Sequence, residues 1–110
     1  MAKKIKFEFD GTQYTLEYTR GTVRAMEADG FDPNVIDSKP MTMIPMLIEG
    51  AFRKHHPFIK TATVDKIYQS IPRKEEFVRN LVEMYNEPLN SLIEEPEESE
   101  GNVSWEMTND

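Results

Sequence analysis

KIKFEFDGTQYTLEY, residues 4–18, decides how the fold begins. Ile5, Phe7 and Phe9 alternate with Lys4, Lys6 and Glu8. After Asp10-Gly11, Tyr14, Leu16 and Tyr18 alternate with Thr15 and Glu17. Period-two apolar spacing on both sides of an Asp-Gly pair predicts a β-hairpin with one apolar and one wet face. A two-stranded ribbon is marginal in water by itself, so this one must lie on helices or gain a strand from a partner.

Helices are what the chain supplies next. Thr19 or Thr22 can cap a helix running to about Asp29, with Val23 and Met26 inward, Gly30 as its stop, and Phe31 free to fold back on the last turn. FDPNVIDSKP, residues 31–40, reads as a turn-rich connection with room for one helical turn. In MTMIPMLIEGAFRKHHP, residues 41–57, an apolar stripe joins Ile44, Leu47, Ile48, Ala51, Phe52 and His55 at helical spacing. The helix starts with Thr42 as cap or with Pro45 as first residue, where a missing N–H is harmless, and Pro57 ends the element. Thr63 can cap a short helix that buries Val64, Ile67, Tyr68 and Ile71 before Pro72. RKEEFVRNLVEMYNE, residues 73–87, carries Phe77, Val78, Leu81, Val82, Met84 and Tyr85, the broad face of a central helix. Pro88 is expected to interrupt it, with PLNSLIEE adding a turn or two. No internal repeat is present. The fold class is α+β: an N-terminal antiparallel β-hairpin followed by four to five short α-helices.

The 110 residues suit one small domain, residues 1–93, with residues 94–110 as a disordered acidic C-terminal segment. Of 20 acidic residues, seven lie in 94–110, which has no Lys or Arg; the remaining thirteen acids of residues 1–93 balance thirteen bases. A neutral body is not built to grip nucleic acid by charge, and the acidic segment supplies solubility. No run approaches the roughly 18 apolar residues of a membrane span. MAKKIKFEFD lacks the apolar core of a signal peptide, so a soluble cytoplasmic protein is expected. The absence of cysteine removes disulfides, thiolate metal sites and cysteine nucleophiles.

Residue chemistry favours binding over catalysis. Adjacent His55 and His56 point about 100° apart on a helix and lack thiolate partners, so neither metal nor cofactor is expected. None of Ser38, Ser70, Ser91, Ser99 and Ser104 sits in a G-x-S-x-G elbow. The pairs Glu75-Glu76 and Glu94-Glu95 read as solvated helix faces, and the glycines form no phosphate loop. Seven methionines are many for this length, and methionine suits adaptable interfaces as well as irregular cores. Met41, Met43 and Met46 lie partly off the Ile44–Phe52 stripe, and Trp105 stands alone among acids in VSWEM. These four residues are the candidate partner-binding residues.

In order, KIKFEFDGTQYTLEYTRGTV, the helix ending AMEADGF, KPMTMIPMLIEGAF with its histidine-proline, and LVEMYNEPLNSLIEE resemble the tail assembly chaperones of long-tailed phages and prophages of Gram-positive bacteria. The resemblance covers about residues 3–95, and KPMTMIPMLIEGAF followed by His-Pro, with MYNEP, is its most specific part. It implies a non-enzymatic, self-associating protein that coats the tape-measure protein, helps recruit tail-tube subunits, and is absent from the mature virion. Two other readings stay open: a structural tail-tube or head–tail connector subunit, and a small prophage regulatory protein that binds a host factor.

Overall fold

A computed structural model describes residues 3–94 and 103–108. Strands β1 (Ile5–Phe9) and β2 (Thr12–Leu16) form a two-stranded antiparallel sheet, followed by helices α1 (Arg20–Ala28), α2 (Pro40–Phe52), α3 (Thr61–Ser70) and α4 (Lys74–Leu92). The chain is therefore α+β, an N-terminal hairpin leading into four helices. A single 3-10 turn at Pro33–Val35 joins α1 to α2.

Both turn residues of the hairpin, Asp10 (φ 51°) and Gly11 (φ 81°), adopt the left-handed backbone that a two-residue type I′ turn demands. The register follows: Phe9 faces Thr12, Phe7 faces Tyr14 and Ile5 faces Leu16. Phe7 and Tyr14 stack at 5.5 Å, and each meets Phe52 of α2 edge-on. The ribbon's marginal stability is thus relieved by laying its aromatic face on α2.

Thr19 caps α1 reciprocally with Thr22. At the other end Gly30 (φ 102°) turns the chain back, the Phe31 N–H reaches Met26 O at 2.9 Å and Gly30 N–H reaches Glu27 O at 3.0 Å. These two bonds make a Schellman stop, and the returning Phe31 is buried against Tyr85.

Helix α2, not α4, is central. It buries Met43, Leu47, Ile48, Gly50, Ala51 and Phe52 and touches β2, α1, α3 and α4. Helix α4 buries Leu81, Met84 and Tyr85 and leaves Phe77 and Val78 half-exposed. Where α2 crosses α1, a Cβ on Gly50 would lie 2.4 Å from Met26 Sδ, so glycine allows the close approach. The Tyr18 hydroxyl, fully buried, donates to the Leu47 carbonyl at 2.6 Å. Burial, foremost, and the neighbouring Tyr85 push its pKa well up, which keeps that donor protonated.

Proline positions differ from expectation. Helix α2 begins at Pro40 with Lys39 as its cap, so Pro45 lies inside the helix rather than in its first turn. Pro88 likewise lies within α4, which continues to Leu92. Each interior proline removes one helical hydrogen bond, at up to about 3 kcal/mol. The buried Met43, Leu47, Ile48 and Phe52 side chains of α2 outweigh this, at about 1.5–3 kcal/mol each. Helix α3 starts at Thr61 with Lys60 as cap, so Thr63 is inside it. The expected disordered acidic segment falls mostly on residues 95–102 and 109–110, outside the described residues. Within it, Glu94 and Val103–Thr108 are without helix or strand, and the side chains of Val103–Thr108 are exposed.

Candidate functional site

The four expected partner-binding residues do not share one surface. Met41 is 89 % exposed and Trp105 86 % exposed, whereas Met43 is buried in the core and Met46 packs partly against it. Met43 lies inward because α2 begins at Pro40, which sets it four residues before Leu47 on the same face. An outward role for Met43 is therefore corrected; Met41 and part of Met46 remain accessible.

His55 does not sit on the apolar stripe where its spacing set it. His56, not His55, packs inward: its ring lies 5.1 Å from Tyr14 and 6.2 Å from Phe52, and its Nε2 accepts the Thr15 N–H at 3.0 Å. Helix α2 ends at Phe52, so both rings sit on the turn that follows rather than on its stripe. His55 turns to the Glu17 carboxylate at 2.7 Å, with Lys4 at 3.9 Å on the same oxygen. Burial first, and the adjacent His55 second, lower the His56 pKa. Accepting the Thr15 N–H requires the unprotonated nitrogen that this shift favours. Among the described residues, no group of three or more His, Asp or Glu is placed to hold a metal ion. No helix among them is long and apolar enough to cross a membrane.

This histidine turn and the end of α2 cover part of one edge of the sheet. With Phe9–Thr12 flanking the two-residue turn, the backbone groups of Thr15 and Glu17 point away from β1. Thr15 N–H is taken by His56, and Glu17 N–H by Ala51 O at 3.0 Å. The opposite edge is not closed. On β1 the same alternation points the backbone groups of Lys6 and Glu8 outward, and no described residue hydrogen-bonds them.

Beside that open edge runs a groove of about 350 Å³. Ile5, Phe7 and Phe9 form its sheet wall, and Ile67 of α3, Ile71 just past its end and Phe77 of α4 form the opposite wall. Pro72 and Arg73 of the short α3–α4 connection also line the groove, with Arg73 held in the left-handed region (φ 52°). An unpaired strand edge above an apolar trough can accept an extended peptide, with main-chain bonds for affinity and side-chain pockets for selectivity. The sequence offered strand addition to the hairpin as one way to stabilise it, but which edge stays open and the trough beside it were not legible there.

Comparison with curated proteins and with solved structures yields no match. The comparison with protein families yields one, a domain of unknown function, DUF5055, whose model spans residues 1–108. By that near-complete span the chain belongs to the DUF5055 family.

Proposed function

We propose that the chain is a non-catalytic tail assembly chaperone, one that holds a phage tape-measure protein and helps recruit tail-tube subunits before leaving the finished particle. The observation that carries this reading is the open β1 edge above the Ile5–Phe7–Phe9 and Ile71–Phe77 walls. A holder of long, aggregation-prone helical proteins needs an accessible apolar trough, and many weak contacts let it be displaced later. Exposed Met41 adds a second adaptable contact on α2. The sequence resemblance over about residues 3–95 supplies the client's identity. The working compartment is the host cytoplasm.

Co-expression with the tape-measure protein of the same phage tests it. Wild-type chain should keep the tape-measure protein soluble and co-purify with it, and Ile71→Glu, half-exposed in the groove wall, should lose both while staying folded. Failure of the wild-type chain to rescue or co-purify sinks the reading. The same open edge also suits a subunit that polymerises by strand pairing inside the tail. Mass spectrometry of purified virions separates the two, since a structural subunit is present in many copies and a chaperone is absent.

A further inference from the structure

We infer that the groove has an occupant of its own: the chain's Val103–Met107 segment, docking in cis as a third strand on β1. Three observations select it. Val103, Trp105 and Met107 alternate with Ser104 and Glu106, the period of a strand with one apolar face. All three apolar side chains are more than four-fifths exposed, unlike any other three-residue apolar alternation among the described residues. The missing half of such a strand, unpaired main-chain groups beside an apolar trough, is what β1 presents.

Geometry and charge fix direction and register. Lys3 binds Glu83 and Glu87 of α4, and the groove lies farther back along that helix at Glu76, Phe77 and Asn80. Strand β1 therefore runs opposite to α4. A chain returning from Ile93 at the end of α4 would lie parallel to β1. From Ile93 to the level of Glu83 is about 15 Å at the helical rise, and a lateral step of about 10 Å between packed layers makes the gap about 18 Å. Nine residues lie between Ile93 and Val103, and the ten steps span at most about 33 Å, so the tether reaches with slack. Lys4 and Lys6 flank the near part of the edge, whereas Glu8 and Glu76 lie at its far part. Glu106 is repelled from the far part and attracted to Lys6. That register sets Trp105 and Met107 beside Ile5 and Phe7, over the trough.

A client that binds the same groove must displace this strand, so the segment acts as an internal competitor that favours release. This consequence rests on the groove being the client site; the docking itself does not.

Amide hydrogen exchange on the full-length chain at micromolar concentration tests the docking. The comparison is with full-length W105S/M107S, whose changes lie on exposed side chains outside the core. With an effective concentration of about 1 mM and a dissociation constant of about 0.1 mM for so short a strand, the Lys6 and Glu8 amides should exchange about tenfold more slowly in the wild-type chain. The Phe7 and Tyr14 amides, bonded within the hairpin, serve as internal standard. The slowing should persist on tenfold dilution. Equal Lys6 and Glu8 rates in the two proteins overturn the proposal. Slowing that fades on dilution also overturns it, by assigning the groove to a second copy. Persistent slowing in a chain that never rescues a tape-measure protein leaves the docking standing and removes the chaperone reading.

Discussion

Replacing His56 with alanine tests how the hairpin is held. The imidazole does two things: it accepts the Thr15 N–H at 3.0 Å, and it fills the corner between Tyr14 and Phe52. Loss of the hydrogen bond is worth about 0.5–1.5 kcal/mol, and the aromatic contacts contribute about 0.5–1.5 kcal/mol more. Because the site is half-exposed and water can reach the freed Thr15 N–H, a net loss of about 1–2 kcal/mol at pH 7.5 is expected. Acid should reproduce part of this in the wild-type chain. The His56 pKa is lowered in the folded state, by burial and then by His55, so the unfolded chain binds the proton more readily. Its contribution is fully present above the ordinary histidine value of about 6.5 and is lost as pH falls below that through the lowered folded value. Urea unfolding followed by far-UV circular dichroism at pH 7.5 and pH 5 measures both effects. The gap between wild type and His56→Ala should shrink at the lower pH, a difference in which the Glu17–His55 pair cancels. An unchanged gap at the two pH values, or a variant as stable as wild type at pH 7.5, refutes His56 as the clasp on β2.

Three further outcomes are expected. Gly50→Ala should destabilise by about 1–2 kcal/mol, since overpacking against the buried Met26 (Sδ 2.4 Å from the new Cβ) exceeds the helix-propensity gain of about 1 kcal/mol; in a Met26→Ala background the same change should stabilise, and urea titrations of the four proteins measure the coupling. Met43→Gln should cost about 2 kcal/mol or more in thermal or urea unfolding because Met43 is buried in the core, whereas Met41→Gln should stay within about 0.5 kcal/mol. Arg73→Gly should stabilise by about 0.5–1 kcal/mol by relieving a left-handed backbone (φ 52°) that bears a side chain, read as a raised urea midpoint.

Local chemistry made some of the fold legible and tertiary packing hid the rest. The hairpin could be read because alternation and Asp10-Gly11 specify the same turn, and both residues take the required positive φ. The end of α1 could be read because Gly30 and the apolar Phe31 act within one turn of chain. Pro45 and Pro88 misled for one shared reason. Each has a local cost, and each stands in a helix whose other side chains bury enough apolar surface to offset it. Misplacing the start of α2 then misplaced Met43. Measured from Pro40, Met43, Leu47 and Ala51 recur every four residues on one face; with Thr42 as cap Met43 would only open the helix, and with Pro45 first it would precede it.

The groove was illegible for a different reason: an open strand edge is not a property of any residue. Both strands of the hairpin alternate in the same way, and nothing in β1 or β2 alone says which edge is closed. That is decided far along the chain, where the last turn of α2 brings Ala51 to Glu17 and the turn after it brings His56 to Thr15, 41 residues away. With β2 clasped at Thr15 and Glu17, β1 keeps outward main-chain groups at Lys6 and Glu8, beside Ile71 and Phe77. The asymmetry also recasts the His55-His56 pair. Two histidines that looked like an incomplete metal site instead clasp β2, His56 through Thr15 and His55 through Glu17. By occupying one edge they direct any added strand to the other. Disabling His56 should therefore do more than destabilise: it should offer a second edge for pairing, so that the variant self-associates through β2 at concentrations where the wild-type chain does not.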